Sequence, residues 1–378
     1  MSQQPADSPS SPPPPLSEPF PGGARRFLLP GLFVLGLFAV LIYRRPSADK
    51  PQQWVYKGRI FGTTYAVKVI GSKKFSKSKD KLASQITAKL NEVNRQMSTY
   101  KKDSELSLFN RSKSIKPVKV SKALARVAQI AKGVHKKSGG AFDVTIGPVI
   151  NAWGFGPKKR KNPPSKEELD VAKKSIGSDK LTVDLAKATL QKSIPGLYVD
   201  LSAIAKGFAV DAVGKVIEKA GFKRYLVEIG GELRARGQNL RGHSWRVGVE
   251  KPDGGRQQVQ LVVPLKNASM ATSGNYRNFV MVKGKRVSHI IDARTASPIT
   301  HHVASVSVIH EDCTIADAWA TTLFVLGHKA GLELAKKEKL AVLFLVADSK
   351  GKGFTSHATD SFSKLLKKTS SAKPPKRR

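Results

Sequence analysis

Two oxygen-bearing side chains, Asp317 and Thr321, stand four residues apart in the run Thr314–Leu326, which reads as a helix. At that spacing a carboxylate and a hydroxyl share one face. Together they suit a hard cation such as Mg²⁺, which takes one or two protein carboxylates and fills its shell with phosphate oxygens and water. An ordinary helix start explains the same residues, with Thr314 as N-cap and Asp317 at N3. A second candidate is Asp200-Leu201-Ser202-Ala203-Ile204-Ala205-Lys206-Gly207, a strand end entering the helix Ile204–Ala220. Ser202 is the expected N-cap. The free N–H groups of the first turn, with Lys206 one turn in, then suit an anionic phosphate. The competing reading is a capped helix with a surface lysine. His289 and Asp292 supply candidate proton acceptors, or else structural hydrogen bonds. Glu228 and Glu232 flank Gly230-Gly231, where the glycines mark a bulge or close backbone approach and the acids either close a site or end two strands.

These residues need elements to carry them. Trp54–Val69 reads as two strands turning near Gly62, and Ser78–Met97 as a helix with Leu82, Ile86, Leu90 and Val93 on one face. Ser121–Lys137 is a helix with Ser121 as N-cap, and Ser165–Lys174 a short surface helix. Ile204, Phe208, Val213, Val216 and Ile217 line one face of the next helix, with Gly221 past its end. Tyr225–Ile229 and Leu233–Arg236 are strands, Trp245–Val249 and Val259–Val263 form a hairpin, and Ala341–Val346 is a late buried strand. The alternation is irregular and without repeats, which gives an α+β fold in one body, residues 52–368.

The chain has 378 residues, 40% of them hydrophobic, and a formal net charge of +38. The basic residues are spread along it, with clusters at Lys73–Lys81, Lys158–Lys161 and Lys376–Arg378 and neither the aromatic–basic interleaving nor the Cys/His spacing of nucleic-acid modules. A solvated cationic surface is therefore expected, and no nucleic-acid partner. Cys313 is the one cysteine, so disulfide frameworks, CxxC redox pairs and zinc sites with two or more thiolates are excluded. Eight of 22 prolines fall in the first 21 residues, so 1–24 is read as a disordered tail. Residues 25–45 hold the uncharged run 27–43, FLLPGLFVLGLFAVLIY, between Arg25-Arg26 and Arg44-Arg45. It is near the lower length for spanning a bilayer and has no small-x-small cleavage site behind it. An uncleaved transmembrane anchor is expected, with orientation left open by the flanking arginine pairs. Residues 369–378 are read as a basic disordered tail.

In order along the chain, MSTYKKDSELSLFN, GAFDVTIGP, DLSAIAKGFAVD, VEIGGELRARG, SGNYRN…SHIIDARTASPI and TIADAWATTLF resemble the ApbE family of FAD:protein FMN transferases. The resemblance runs from about Gly58 to Ala347 and implies an ApbE-like mixed α/β fold behind the N-terminal transmembrane helix. It implies an Mg²⁺-dependent transferase that splits FAD at its pyrophosphate, attaches FMN through a phosphoester to a Ser or Thr of a target flavoprotein and releases AMP. Carried onto this sequence, Tyr100, Ala141, Phe142, Asp143, Asp200, Lys206 and Ile291 are the FAD contacts. Ala203, through its carbonyl, Asp317 and Thr321 are the metal positions. Phe61-Gly62-Thr63 departs from the family's Met-Gly-Thr, Asp292-Ala293-Arg294-Thr295-Ala296 from its DPRTG, and no lipid-anchored cysteine is present. His289 and then Asp292 are the candidate bases. The implied partner is an FMN-binding subunit of a membrane electron-transfer complex, with the body outside a bacterial inner membrane. Two rivals remain at this point: FAD pyrophosphatase activity on the same site, and non-catalytic flavin binding.

Overall fold

The computed structural model describes residue 37 and residues 50–370, except 73–74, 76, 157–159, 161, 253–257, 276–278, 283–284 and 349–352. The expected proline-rich tail, the apolar run 27–43 except Leu37, most of the C-terminal tail, Tyr276-Arg277 and much of the three lysine clusters lie outside the described residues. By its contacts the chain divides into Met1–Lys50 and Pro51–Arg378, and the second unit holds every element below. Among the described residues no helix is long and apolar enough to cross a membrane.

The helices are α1 (Ser78–Met97), α2 (Glu105–Arg111), α3 (Lys122–Lys137), α4 (Gly147–Ala152), α5 (Lys166–Lys174), α6 (Ala205–Lys219), α7 (Cys313–Leu326), α8 (His328–Lys337) and α9 (Asp360–Ser370). The strands are β1 (Pro51–Ile60), β2 (Thr63–Ser72), β3 (Val118–Lys119), β4 (Leu181–Asp184), β5 (Thr189–Lys192), β6 (Tyr225–Ile229), β7 (Glu232–Arg236), β8 (Trp245–Glu250) and β9 (Val259–Leu265). They continue as β10 (Ala268–Gly274), β11 (Phe279–Val282), β12 (Lys285–Ser288), β13 (Ile291–Asp292), β14 (Ser297–Pro298), β15 (Val303–His310), β16 (Ala341–Ala347) and β17 (Phe354–Ala358).

Eight strands form one sheet in the order β1-β2-β6-β7-β10-β15-β16-β17, every neighbouring pair antiparallel. Strand period two gives the sheet two buried faces. In β16, Val342 and Phe344 join the larger core with α1, α6 and α7, while Ala341, Leu343 and Leu345 join a second core with the β8–β9 hairpin and Phe362 of α9. The helical face carries the predicted apolar stripe of α1, where Leu82, Ile86, Leu90 and Val93 are all buried. β3, β5 and β4 make a small separate sheet. β13, β14, α4 and α5 enclose a satellite cluster of Val149, Ala172, Ile291 and Ala296.

One of two hairpin turns falls where the sequence places it, near Gly62, and the other differs from expectation. The β1–β2 connection is a two-residue turn with Phe61 at φ 53° and Gly62 at φ 74°, the left-handed pair that matches strand twist. Gly230 (φ 62°) and Gly231 (φ 106°) also form a two-residue hairpin turn and not a bulge, since Ile229 pairs with Glu232. β7 therefore begins one residue earlier than the pattern suggested, at Glu232.

Candidate active site

A cavity of about 750 Å³ opens between the ends of β2, β6, β7 and β10 and the starts of α6 and α7. Its wall includes Thr63, Asp143, Asp200, Ala203, Lys206, Glu228, Glu232, Glu250, Thr272, Ser273, His289, Ile291, Asp317 and Thr321. Six of these are carboxylates, against one lysine and one histidine. On a chain of net charge +38, an acidic cavity marks a place built for cations or for donors.

The start of α6 corrects the sequence reading. The helix begins at Ala205, and its N-cap residue Ile204 makes no side-chain cap. Asp200 Oδ1 takes both the backbone N–H of Ser202 (2.8 Å) and its hydroxyl, so Ser202 is not the cap. The cap comes from another helix, since Gly207 N–H donates to Asp317 Oδ2 at 2.8 Å. That N–H is therefore unavailable to a phosphate. A Cβ on Gly207 would lie 2.4 Å from the Cys313 carbonyl oxygen and 2.7 Å from Asp317 Cβ, so only glycine permits this approach.

α7 is held in the reverse sense. Its N-cap residue Asp312 makes no side-chain cap. Asp211 of α6 instead accepts from Cys313 N–H (3.1 Å), Thr314 N–H (2.8 Å) and the Thr314 hydroxyl (2.7 Å). The alternative in which Thr314 caps α7 and Asp317 turns back on its own helix is excluded. Each helix supplies the carboxylate that satisfies the other's first-turn donors. Arg234 Nη1 donates to Asp211 Oδ1 at 2.7 Å and Arg234 Nε to the Tyr225 hydroxyl at 3.0 Å, so the clamp is tied to β6 and β7.

Asp317 (3% exposed) and Thr321 then face the cavity from successive turns of α7. The Thr321 hydroxyl shares a 2.9 Å hydrogen bond with Ser273 of β10. Lys206 Nζ donates to Glu232 Oε1 at 2.7 Å and stands 3.9 Å from Asp317 Oδ1. Burial pushes the Asp317 carboxyl up, against the pull of Lys206 and the Gly207 N–H. Burial pushes Glu232 up too, opposed by Lys206 and reinforced by Asp317. Burial opposes the Lys206 ammonium, but Asp317 and then Glu232 outweigh it and keep the ammonium charged. Glu232 Oε2 is buried with no hydrogen-bond partner.

The flanking segments are fixed locally. Asp143 Oδ1 accepts from Thr145 N–H (2.8 Å) and the Thr145 hydroxyl (2.6 Å), and His135 Nδ1 lies 2.9 Å from the Phe142 carbonyl oxygen. Asn110 bonds Val199 through both its amide groups, at 2.8 Å each, which holds the strand leading to Asp200.

Thus Ala141, Phe142, Asp143, Asp200, Ala203, Lys206, His289, Ile291, Asp317 and Thr321 line one cavity. Tyr100 is 64% exposed and stands outside that lining, near enough to Asp200 that partial burial and then the Asp200 charge push its phenol up. Asp292 is turned away, its carboxylate held by Arg294 Nε (2.9 Å) and Nη2 (2.7 Å). That two-point pairing engages both oxygens of its carboxylate. Ser273, Asp211 and Gly207 were missed as functional. Asp211 and Gly207 lie inside the quoted DLSAIAKGFAVD string, but no local spacing reveals a partner 102 or more residues away.

The donors fit a small hard cation: a carboxylate, a hydroxyl and excess negative charge beside a buried acceptor with nothing to accept. Among the described residues no three His, Cys, Asp or Glu side chains converge as a metal cluster.

A model of the ApbE family matches residues 61–344. The chain is 44% identical over 339 residues to a protein of Haemophilus influenzae named FAD:protein FMN transferase, covering 88% of this chain and 97% of that one. It is 38% identical over 343 residues to the Escherichia coli protein of the same name, covering 89% and 96%. Among solved structures, the flavin transferase ApbE from Vibrio cholerae superposes with a TM-score of 0.76 at 41% identity, over 83% of this chain and 99% of that one. The Pseudomonas stutzeri flavinyl transferase ApbE does so with a TM-score of 0.76 at 34% identity, over 83% and 97%.

Proposed function

The chain belongs to the ApbE family and is a flavin transferase, and from that premise we propose that it transfers FMN from FAD to a Ser or Thr hydroxyl of an acceptor flavoprotein, with Mg²⁺ bound and AMP released. The observation that carries the cation is the pair Asp317 and Thr321 on one face of α7, at the wall shared with Lys206. Those two side chains, with Ala203 as the third position, would hold Mg²⁺, which when bound offsets charge on the departing phosphate.

The chain's own residues do the rest. Lys206 sets its ammonium beside the pyrophosphate, and Asp143 and Asp200 shape the wall against which the dinucleotide lies. The acceptor hydroxyl oxygen forms a bond to the FMN-side phosphorus. The bond from that phosphorus to the bridging oxygen breaks, and the electron pair leaves with AMP. The hydroxyl proton passes to His289, the candidate acceptor that lines the cavity. Alignment and fixed charge supply most of the acceleration.

The test is incubation with FAD, Mg²⁺ and an acceptor carrying a flavin-binding domain, read by in-gel flavin fluorescence and by AMP release. Labelled acceptor with matching AMP supports the reading; FMN released with the acceptor unlabelled would mark hydrolysis instead. The proposal extends to location. The apolar run 27–43 supports a single membrane anchor with the body outside the inner membrane and the acceptor in a membrane electron-transfer complex. A reporter enzyme fused to the C-terminus, active only outside the membrane, tests it.

A further inference from the structure

Lys206 and Asp317 have opposed tasks in the proposed reaction, one facing phosphate and the other a cation, yet Nζ and Oδ1 stand only 3.9 Å apart. A lysine ammonium on a flexible four-carbon stem collapses onto a neighbouring carboxylate unless a better acceptor holds it. Such a collapse would fill the place a cation needs. Asp317 is already pinned on its other oxygen, with Oδ2 taking the Gly207 N–H at 2.8 Å, which leaves Oδ1 as the oxygen in contention.

Glu232 resolves the conflict. It is the first residue of β7, paired with Ile229 across the glycine turn and 3% exposed, so its carboxylate cannot swing away. Oε1 accepts from Lys206 Nζ at 2.7 Å, and Oε2 has no hydrogen-bond partner. Arg234, on the same face of β7, is committed to Asp211 and Tyr225 and does not compete.

We propose that Glu232 is a positioning residue that draws the Lys206 ammonium off Asp317 and so keeps Asp317 Oδ1 open to the divalent cation. The inference rests on the cation reading above, and it assigns Glu232 a role in cation binding through Lys206 and not through its charge alone.

The test measures Mn²⁺ binding to the full chain without FAD, by electron paramagnetic resonance of the free ion, alongside thermal melts. Glu232→Ala is expected to weaken Mn²⁺ binding about tenfold or more, the scale of a charge pair remade at close range. Glu232→Gln keeps an acceptor for Nζ and is expected to stay within about threefold of wild type. In a Lys206→Met background, Glu232→Ala is expected to change binding less than about twofold, because the competitor is gone. If Gln and Ala weaken binding alike, Glu232 acts only by charge and the inference is overturned; an Ala effect undiminished in the Lys206→Met background overturns it as well. Glu232→Met, which keeps the volume, replaces Ala if that variant melts below the assay temperature. A wild-type chain that binds no Mn²⁺ removes the cation reading and the inference together. Loss of binding in Asp317→Ala beside wild-type binding in the Glu232 variants overturns the inference alone.

Discussion

At the scale of single residues, the site divides its acids by what holds them. Asp317 is pinned by a backbone N–H, Glu232 by Lys206, Asp200 by Ser202 and Glu228 by Gly231 N–H at 2.9 Å. His289 lines the cavity while Asp292 is tied to Arg294. His289→Gln is therefore expected to lower the single-turnover rate of flavin transfer about 100-fold, and Asp292→Asn to leave that rate nearly unchanged. Glu228 gives a pH prediction. Burial, only partly opposed by the Gly231 N–H, raises its carboxyl above the ordinary value of 4.5. The folded state then holds a proton that the unfolded chain releases, so this group's contribution to stability falls as pH rises above 4.5. Glu228→Gln should raise the melting temperature relative to wild type more at neutral pH than near pH 4.5; an unchanged difference would show no proton linkage there. Ala296 sits at φ 57° with its methyl buried. The left-handed strain of about 1–2 kcal/mol is offset by a buried methyl and by glycine's greater backbone entropy, each about 0.5–1 kcal/mol. This is how the chain tolerates alanine where its relatives' pattern has glycine.

At the scale of elements, the reciprocal capping of α6 and α7 decides whether the site exists. Asp211→Ala removes the carboxylate nearest the buried Arg234 guanidinium, leaving it Glu218 at 3.4 Å, and leaves two first-turn donors of α7 unmet. It is expected to destabilise the fold by about 3–5 kcal/mol in chemical denaturation. Gly207→Ala sets a Cβ 2.4 Å from the Cys313 carbonyl oxygen, so the two helices must part; this should cost about 1–3 kcal/mol, with Mn²⁺ binding weakened in parallel. The elements themselves were largely legible. Period 3.6 gave α1, the Ser121 cap marked α3, and alternation in Tyr65, Val67 and Val69 gave β2, whereas Gly230-Gly231, read as a bulge, is a turn. β10 and β15 were not, since Ala268–Gly274 is small and polar and Val303–His310 is buried on both faces, so neither shows alternation. The caps of α6 and α7, unlike Ser121 of α3, were misread for a related reason. A residue beside a helix start is the default cap by sequence, whereas here the acceptors come from the facing helix across the core.

At the scale of the whole molecule, a chain of net charge +38 carries an acidic cavity. On the proposed function, the outer field would draw in an anionic dinucleotide, and the local carboxylates would call for a cation before its phosphates settle. The FAD association rate, followed by flavin fluorescence, should fall on the order of tenfold between about 20 mM and about 200 mM salt. The residues that bind FAD by resemblance were legible only as an ordered set of six strings, because each alone is too short to be specific; the fold then brings six of those seven to one cavity, with Tyr100 outside its lining. The most direct test of the account is the cation dependence of transfer itself. Purified chain, FAD and a Ser/Thr acceptor are mixed across a Mg²⁺ titration, and covalent FMN is counted by intact mass with AMP by chromatography, for wild type and Asp317→Ala. The account predicts one AMP per FMN attached, abolition by EDTA, and loss of transfer in Asp317→Ala at every Mg²⁺ concentration that saturates wild type. Transfer by Asp317→Ala at the wild-type rate and with the wild-type Mg²⁺ response would contradict it.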